Sequence, residues 1–246
     1  MEKENFIFDL YGTLVSIRTD EEKPAFWKKM AELYTVFGAP YEWKELKEAY
    51  ALFCEKETVK LQKKYGKWCE IELRNVFEDL FRQKGVKPKK DLVEYIGVTF
   101  RILSRSSFYV YDGIYELLDE IHAKGKKAYL LSNAQNVFTV PELKEAGLYD
   151  KLDGIYISSD EHMRKPEPEF LKSLIRSYKL KKEECIMIGN DRTTDIAIAN
   201  ACGVDSFYIH SENSYPELIH PRCEEEMATD EVLDGDIYKV KERLLG

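Results

Sequence analysis

Residues 5–14 read Asn-Phe-Ile-Phe-Asp-Leu-Tyr-Gly-Thr-Leu, and no other stretch of the chain limits its fold as strongly. Phe6, Ile7 and Phe8 form a short apolar run that reads as a buried strand, and Asp9 follows at its carboxyl end, just before a Gly12-Thr13 turn. In an open parallel sheet that edge is where ligands bind. A carboxylate there, with glycine at the third place after it, can meet a substrate that bare backbone amides approach from the other side. Taken alone, the same aspartate also reads as a turn cap, because its side chain readily satisfies turn amides.

The second half of the chain repeats the strand theme. After Asp112-Gly113 a helix is expected over 114–123, then a strand over 127–131 that ends in Ser132-Asn133, and a helix from about 140 to 146. Ile155-Tyr156-Ile157 forms the next strand. Lys165-Pro166-Glu167-Pro168 precedes a helix carrying Phe170, Leu171, Leu174 and Tyr178. A strand over 185–188 is followed by Gly189-Asn190-Asp191, a helix through Asp195 to Cys202, and a strand over 206–209. Alternating units of this kind imply an α/β fold built on a doubly wound parallel sheet. The tail from His210 is less regular, with a final helix from Asp236 to Leu245 and no chemistry assigned to it.

Between these parts the character of the sequence changes. Apolar residues at helical spacing predict four helices: one through Phe26–Phe37 closed by Gly38-Ala39-Pro40, one over 43–65, one over 68–84 and one over 90–104. No strand is expected in this region. The organisation predicted is therefore a core of residues 1–14 and 107–246 and an all-helical domain of residues 15–106. An insert directly behind the active edge of the first strand has the position of a lid that excludes water. Its aromatic residues Trp27, Trp43, Tyr50 and Trp68 read as helix packing.

Because the strand ends of such a sheet share one rim, Asp9, Ser132, Lys165 and Asp191 are expected to converge there. A carboxylate can act as a nucleophile through a covalent intermediate, and Asp9 is the candidate. Attack on an anionic phosphoryl group needs strong charge compensation. The Ser132 hydroxyl and Asn133 amide can donate to its oxygens, unless they cap the next helix. Lys165 is a compact cation suited to both the nucleophile and the transferring group. Asp191 and Asp195, four residues apart, share a face if the turn between them is helical and offer hard oxygens for Mg²⁺ beside Asp9.

Together these four motifs, in this order, resemble the haloacid dehalogenase (HAD) superfamily, over most of the chain outside the helical insert. The resemblance implies a Rossmann-like core with a helical cap. It also implies a Mg²⁺ held by the Asp9 side chain, the Tyr11 backbone carbonyl and one residue after Gly189. The pattern fits with either Asn190 or Asp191 on the metal; Asp191 is preferred because a carboxylate binds Mg²⁺ better than an amide. Asp195 then supports the site or orients Lys165, and Tyr11, Gly12, Thr13 and Asn133 line the substrate.

Tyr11 departs from the phosphatase pattern, which has an aspartate two residues after the nucleophile as general acid and base. Asp-x-Tyr-Gly-Thr resembles instead the 2-haloacid dehalogenase branch, where halide leaves without a proton. Those enzymes work without magnesium, and their fourth motif does not resemble Gly-Asn-Asp-Arg-Thr-Thr-Asp. An acyl phosphate, an anhydride or another phosphoryl donor with a weakly basic leaving group satisfies both signals. The leading expectation is thus a Mg²⁺-dependent phosphohydrolase acting on a small phosphorylated metabolite through an aspartyl-phosphate. The alternatives are a metal-independent dehalogenase and a non-catalytic protein that binds phosphate or a partner.

Composition narrows the remaining classes. The net charge is -8 with no basic block, which argues against a nucleic-acid or anionic-membrane surface. No apolar run is long enough to span a bilayer, and the chain enters its first strand directly after Glu2-Lys3-Glu4, so a cytoplasmic protein without a signal peptide is expected. The five cysteines form no Cys-x-x-Cys pair, and the four histidines lack metal-site spacing and a Gly-x-Ser-x-Gly partner.

Overall fold

The computed structural model describes residues 2–246; Met1, the first residue of the expected core segment, lies outside them. In chain order the elements are β1 (Asn5–Phe8), β2 (Val15–Thr19), α1 (Pro24–Val36), α2 (Trp43–Tyr65), α3 (Leu73–Gln83), α4 (Lys90–Ser104), β3 (Arg105–Val110), α5 (Ile114–Ala123) and β4 (Lys127–Ser132). They continue with α6 (Asn136–Glu145), β5 (Gly154–Ile157), α7 (Ser158–Glu161), α8 (Pro168–Ser177), β6 (Cys185–Gly189), α9 (Ala197–Cys202), β7 (Asp205–Ile209), β8 (Asp230–Val232) and α10 (Ile237–Leu245).

Six strands form one sheet in the order β5-β4-β1-β6-β7-β8, and every pairing in it is parallel. β1 lies at its centre between β4 and β6, with Phe8 opposite Leu130 on one side and Ile188 on the other. A central parallel strand is covered on both faces, which is why its sequence is apolar without alternation. Phe6 and Phe8 pack with Ile114, Leu117 and Ile121 of α5 and Val240 of α10, while Ile7 packs on the other face with Phe170 of α8 and Ile198 of α9. The result is the expected doubly wound α/β sandwich. The chain leaves β1 toward β4 and β5 and later returns on its other side through β6, so the carboxyl ends of β1, β4 and β6 meet where the strand order reverses.

The helices α1–α4 bury a core of their own, made of Phe26, Trp27, Met30, Tyr34, Phe77, Phe81, Ile96 and Phe100 among others. Val137 and Phe138 of α6 belong to the same cluster, and a Cβ added at Gly97 would stand 2.3 Å from Val137 Cγ2. That close contact seats α4 on the sheet domain.

The structure corrects four expectations. Residues 15–106 are not free of strand: β2 pairs antiparallel with β3, Val15 opposite Val110 and Ser16 opposite Tyr109, forming a two-stranded ribbon where the helical insert leaves and rejoins the core. Val15-Ser16-Ile17 alternates, but its partner lies beyond four helices. The third helix begins at Leu73 rather than at residue 68, because the segment before it is tied to the core through Glu70 N to His162 O at 3.1 Å and Arg164 N to Trp68 O at 3.0 Å. α6 starts at Asn136, so Pro141 lies inside it rather than near its start. Finally, the tail supplies a sixth strand, β8, paired with β7. No helix among the described residues is long and apolar enough to cross a membrane.

Candidate active site

Asp9 lies one residue past β1, and its backbone amide still bonds Ile188 O at 2.9 Å, so the sheet fixes the root of the side chain. The turn that follows needs glycine. Gly12 has φ +92, and a Cβ there would stand 2.3 Å from Asn190 Nδ2. Thr13 Oγ1 donates to Asn190 Oδ1 at 3.3 Å, so the loops after β1 and β6 are locked against each other.

Lys165 arrives from the opposite side of Asp9. Its ammonium is buried, 2.6 Å from Asp9 Oδ1, 2.7 Å from Asp195 Oδ1 and 2.9 Å from Leu131 O. Burial opposes its charge, but the attraction of Asp195 and Asp9 outweighs burial and holds the lysine above its usual range. Burial pushes the Asp195 carboxyl up to about 7 against the pull of Lys165, with the negative charge of Asp9 adding to the rise. Asn133 fixes the Lys165 backbone from both sides: its Nδ2 donates to Lys165 O at 3.1 Å and its Oδ1 accepts from Lys165 N at 2.8 Å.

Ser132 ends β4, fully buried, and its Oγ has no hydrogen-bond partner among the described residues. A buried hydroxyl left in that state is costly without a ligand or water to meet it. The segment after β6 forms a turn of π-helix over Arg192–Ile196 that runs into α9. Asp191 caps it, accepting from Thr193 N at 2.8 Å and Thr193 Oγ1 at 2.7 Å through the same Oδ1. Asp195 Oδ2 accepts from Asp191 N at 3.0 Å. Asn190 is buried, with its amide engaged by Thr13 and by Ser214 Oγ at 3.3 Å.

A cavity of about 180 Å³ is lined by Asp9, Tyr11, Asn133, Lys165, Asn190, Asp191 and Asp195, and also by Asn213 and Tyr215. Most of the sequence-predicted residues therefore gather at one place; Gly12, Thr13 and Ser132 are buried and do not line it, Gly12 and Thr13 facing a separate cavity. Asn213 and Tyr215 come from the tail to which no role had been given. Their loop is pinned to the site by Ser214 Oγ, which donates to Asn190 O at 2.9 Å. The serine and asparagine of that loop follow no periodic pattern, and proximity to a strand end was their one sequence signal.

Tyr11 lines the cavity but directs its hydroxyl elsewhere. The phenol donates to Glu142 Oε2 on α6 at 2.5 Å and lies 3.1 Å from Thr139 Oγ1. Burial, reinforced by the charge of Glu142, raises its pKa well above the usual tyrosine value. Glu142 in turn lies 3.5 Å from Arg101 of α4 and 3.5 Å from Arg105 of β3.

No group of three or more His, Cys, Asp or Glu side chains forms a metal cage among the described residues. Of the three carboxylates that line the cavity, Asp195 is turned to Lys165 and the Asp191 amide, while Asp9 and Asp191 each have one oxygen engaged by the protein and the other left without a hydrogen bond among the described residues. That supply fits magnesium, which keeps several waters and takes only one or two carboxylates.

A family model described as haloacid dehalogenase-like hydrolase matches residues 4–203. The chain is 33% identical over 94 residues to pyrophosphatase PpaX of Halalkalibacterium halodurans, a match covering 38% of this chain and 43% of that protein. This chain thus spans less than half the length of that curated relative. Among solved structures, the Bacillus subtilis protein YfnB bound to magnesium superposes with a TM-score of 0.56 at 15% identity, covering 99% of both chains. A dehalogenase superposes with a TM-score of 0.60 at 15% identity, covering 99% of this chain and 98% of that one. At these identities the likeness shows the fold alone.

Proposed function

Because the chain belongs to the haloacid dehalogenase-like hydrolase family, we propose that it is a magnesium-dependent phosphohydrolase acting on a small phosphorylated metabolite, with Asp9 as nucleophile. The observation that carries this reading is the buried ammonium of Lys165, 2.6 Å from Asp9 Oδ1, in a cavity that also contains Asp191. It orients the carboxylate and leaves the second oxygen, Oδ2, to attack phosphorus. The bond to the leaving group breaks as the aspartyl-phosphate forms. Water then attacks the same phosphorus, releasing inorganic phosphate and restoring Asp9. Ser132 Oγ, buried and without a partner, is assigned to a phosphoryl oxygen.

Magnesium, when bound, supplies positive charge that offsets the repulsion between the nucleophile and the phosphoryl oxygens. Asp9, Asp191 and the Tyr11 carbonyl would hold it. Asp191 is favoured over Asn190 because the Asn190 amide is engaged by Thr13 and Ser214. Asp195 and Asn133 position Lys165, one through its ammonium and the other through its backbone. Residues 15–106 serve as the cap, with the β2–β3 ribbon as its neck.

The Tyr11 hydroxyl donates to Glu142, so the leaving group must depart as a weak base. The name of the relative PpaX points the same way, since pyrophosphate is an anhydride whose leaving group is phosphate. Phosphate release from acetyl phosphate, pyrophosphate and simple sugar phosphates, each with Mg²⁺ and with EDTA, tests the reading. Faster turnover of the activated donors, lost in EDTA, is expected. Chloride release from 2-chloropropionate in EDTA, with no phosphate release from any donor, would establish the dehalogenase instead.

A further inference from the structure

Past Lys165 and Asp191 the active-site cavity opens into a second one of about 460 Å³, and the two share Asn133, Lys165, Asp191, Thr194 and Tyr215 as a common border. The far wall of this second space differs in kind from the catalytic one. It presents Trp68, Arg164 and Arg222.

The two arginines are unusual in this chain. Arg74, Arg105, Arg192 and Arg243 all close salt bridges with carboxylates. Arg222 reaches one backbone acceptor, Glu217 O at 3.4 Å, and the Arg164 guanidinium stands 6.0 Å from the Trp68 ring. Neither has a carboxylate within salt-bridge distance among the described residues. Of the acids nearby, Glu226 accepts the Arg222 backbone amide at 2.6 Å, and Glu70, which feels the Arg164 charge without reaching salt-bridge distance, bonds Gln135 and Ser158, both at 3.3 Å. Glu217, on the same wall, gives Arg222 its carbonyl and not its carboxylate.

Both walls are anchored by neighbours of the reactive residues. Arg164 precedes Lys165, and its amide holds Trp68 O at 3.0 Å. Arg192 follows Asp191; it is fully buried and donates to Ile219 O at 2.7 Å and to Glu231 Oε2 at 2.6 Å, fixing the loop that carries Arg222. Two exposed arginines without a salt-bridge partner among the described residues thus have their backbones anchored beside the phosphoryl site.

We propose that this second cavity is the leaving-group subsite, and that the substrate's departing fragment carries a second anionic group held between Arg164 and Arg222. Guanidinium groups bind carboxylate and phosphate alike through charge-assisted, often paired, hydrogen bonds. Trp68 supplies the apolar flank for the carbon skeleton between the two charges. The inference rests on the phosphohydrolase reading for the identity of the first charge.

The test is a comparison of kcat/KM for phenyl phosphate, 3-carboxyphenyl phosphate and benzene-1,3-diyl bisphosphate, in Mg²⁺, for the wild type, Arg164→Gln, Arg222→Gln and the double variant. The wild type is expected to prefer at least one of the doubly anionic esters by about tenfold or more. The carboxylate and phosphate arms tell which anion the subsite takes. Each single substitution lowers the preference, and the double variant brings it to within about twofold of unity. Turnover of all three esters at equal efficiency overturns the inference and leaves the phosphohydrolase reading intact. If no ester turns over, acetyl phosphate and pyrophosphate decide that reading, which fails if they too are untouched, and calorimetry with phenylphosphonate and 3-carboxyphenylphosphonate decides the subsite. Equal affinities then overturn the inference, while tighter binding of the carboxylated ligand that the double variant loses supports it.

Discussion

Replacing Lys165 by methionine keeps most of the side-chain volume and removes the charge on which the site is built. In the wild type one ammonium lies between two carboxylates, 2.6 Å from Asp9 and 2.7 Å from Asp195, with side-chain exposures of 2%, 11% and 1% respectively. At such burial solvent screens little, and removing one member of a buried ion pair costs about 3–5 kcal/mol because its partner is left uncompensated. For a chain of 246 residues, each kcal/mol corresponds to about 2–4 °C in melting temperature, so K165M should melt about 6–20 °C below wild type. Asp195 is held up to about 7 even against the pull of Lys165, so without the lysine it takes up a proton more readily, and Asp195→Asn in the same chain should restore part of that loss, more of it as pH rises. Thermal unfolding followed by circular dichroism reads both numbers. A K165M variant that melts within about 3 °C of wild type, or a double variant no more stable than K165M, would refute the charge argument. Activity is a separate readout: kcat/KM should fall by about a hundredfold or more in K165M, as when one oriented charge is taken from a reacting centre.

Tyr11→Phe removes a hydroxyl engaged with Glu142, so turnover of activated phosphoryl donors should change by less than about threefold while stability drops by about 1–2 kcal/mol, measured by urea unfolding. Gly12→Ala places a Cβ at φ +92 and 2.3 Å from the Asn190 amide; it should destabilise by at least about 1 kcal/mol and cut kcat more than Asn133→Ala does, in parallel assays. Added Mg²⁺ should raise the wild-type melting temperature, because a ligand bound to the folded state stabilises it. Asp191→Asn should reduce that rise and Asn190→Ala should not; an equal rise in all three proteins would show that the ion binds elsewhere.

What the sequence reveals about this molecule follows the range of the interactions involved. Phe6-Ile7-Phe8 announces a central strand because burial on both faces leaves no polar position, and Ser132 ends a strand while Asp9 and Asp191 follow strands, at ends that the parallel topology must align. Helix ends are marked by glycines, as at Gly66 and Gly85, both with positive φ. The β2–β3 ribbon is hidden because its pairing joins Val15 to Val110 across the whole helical insert. Residues 68–72 carry aromatic and apolar side chains that suit a helix, yet tertiary bonds to His162 and Arg164 hold them in a turn and a bridge outside any helix. This moves Trp68 from the helical core, where its composition places it, to the wall of a cavity. Asn213 and Tyr215 escape notice for another reason, since a loop residue acquires its role from where neighbouring strands hold it. The destination of the Tyr11 hydroxyl is hidden likewise, because α6 begins four residues before the point at which Pro141 suggests a start.

Charge accounting argues for a metal cation more strongly than the count of ligands does. Lys165 offers one positive charge to two carboxylates, so the buried trio is neutral while Asp195, held up to about 7, keeps its proton and negative by one once it ionises, and Asp191 stands at the same cavity. A phosphoryl group approaching Asp9 brings further negative charge into a space where water screens poorly. With Lys165 shared between Asp9 and Asp195, no second ammonium lines the catalytic cavity among the described residues, and Arg164 and Arg222 lie beyond its border. A carbon–halogen centre imposes no such demand, because its carbon is neutral and the departing halide is the one new charge. The carboxylate-rich setting of Asp9 therefore suits phosphoryl transfer only with a divalent cation, and it explains why Tyr11 and Asp191 point in different directions. On the proposed function, the residue after Leu10 sets how basic a leaving group can be, whereas the carboxylate after Asn190 sets how much negative charge the site can accept.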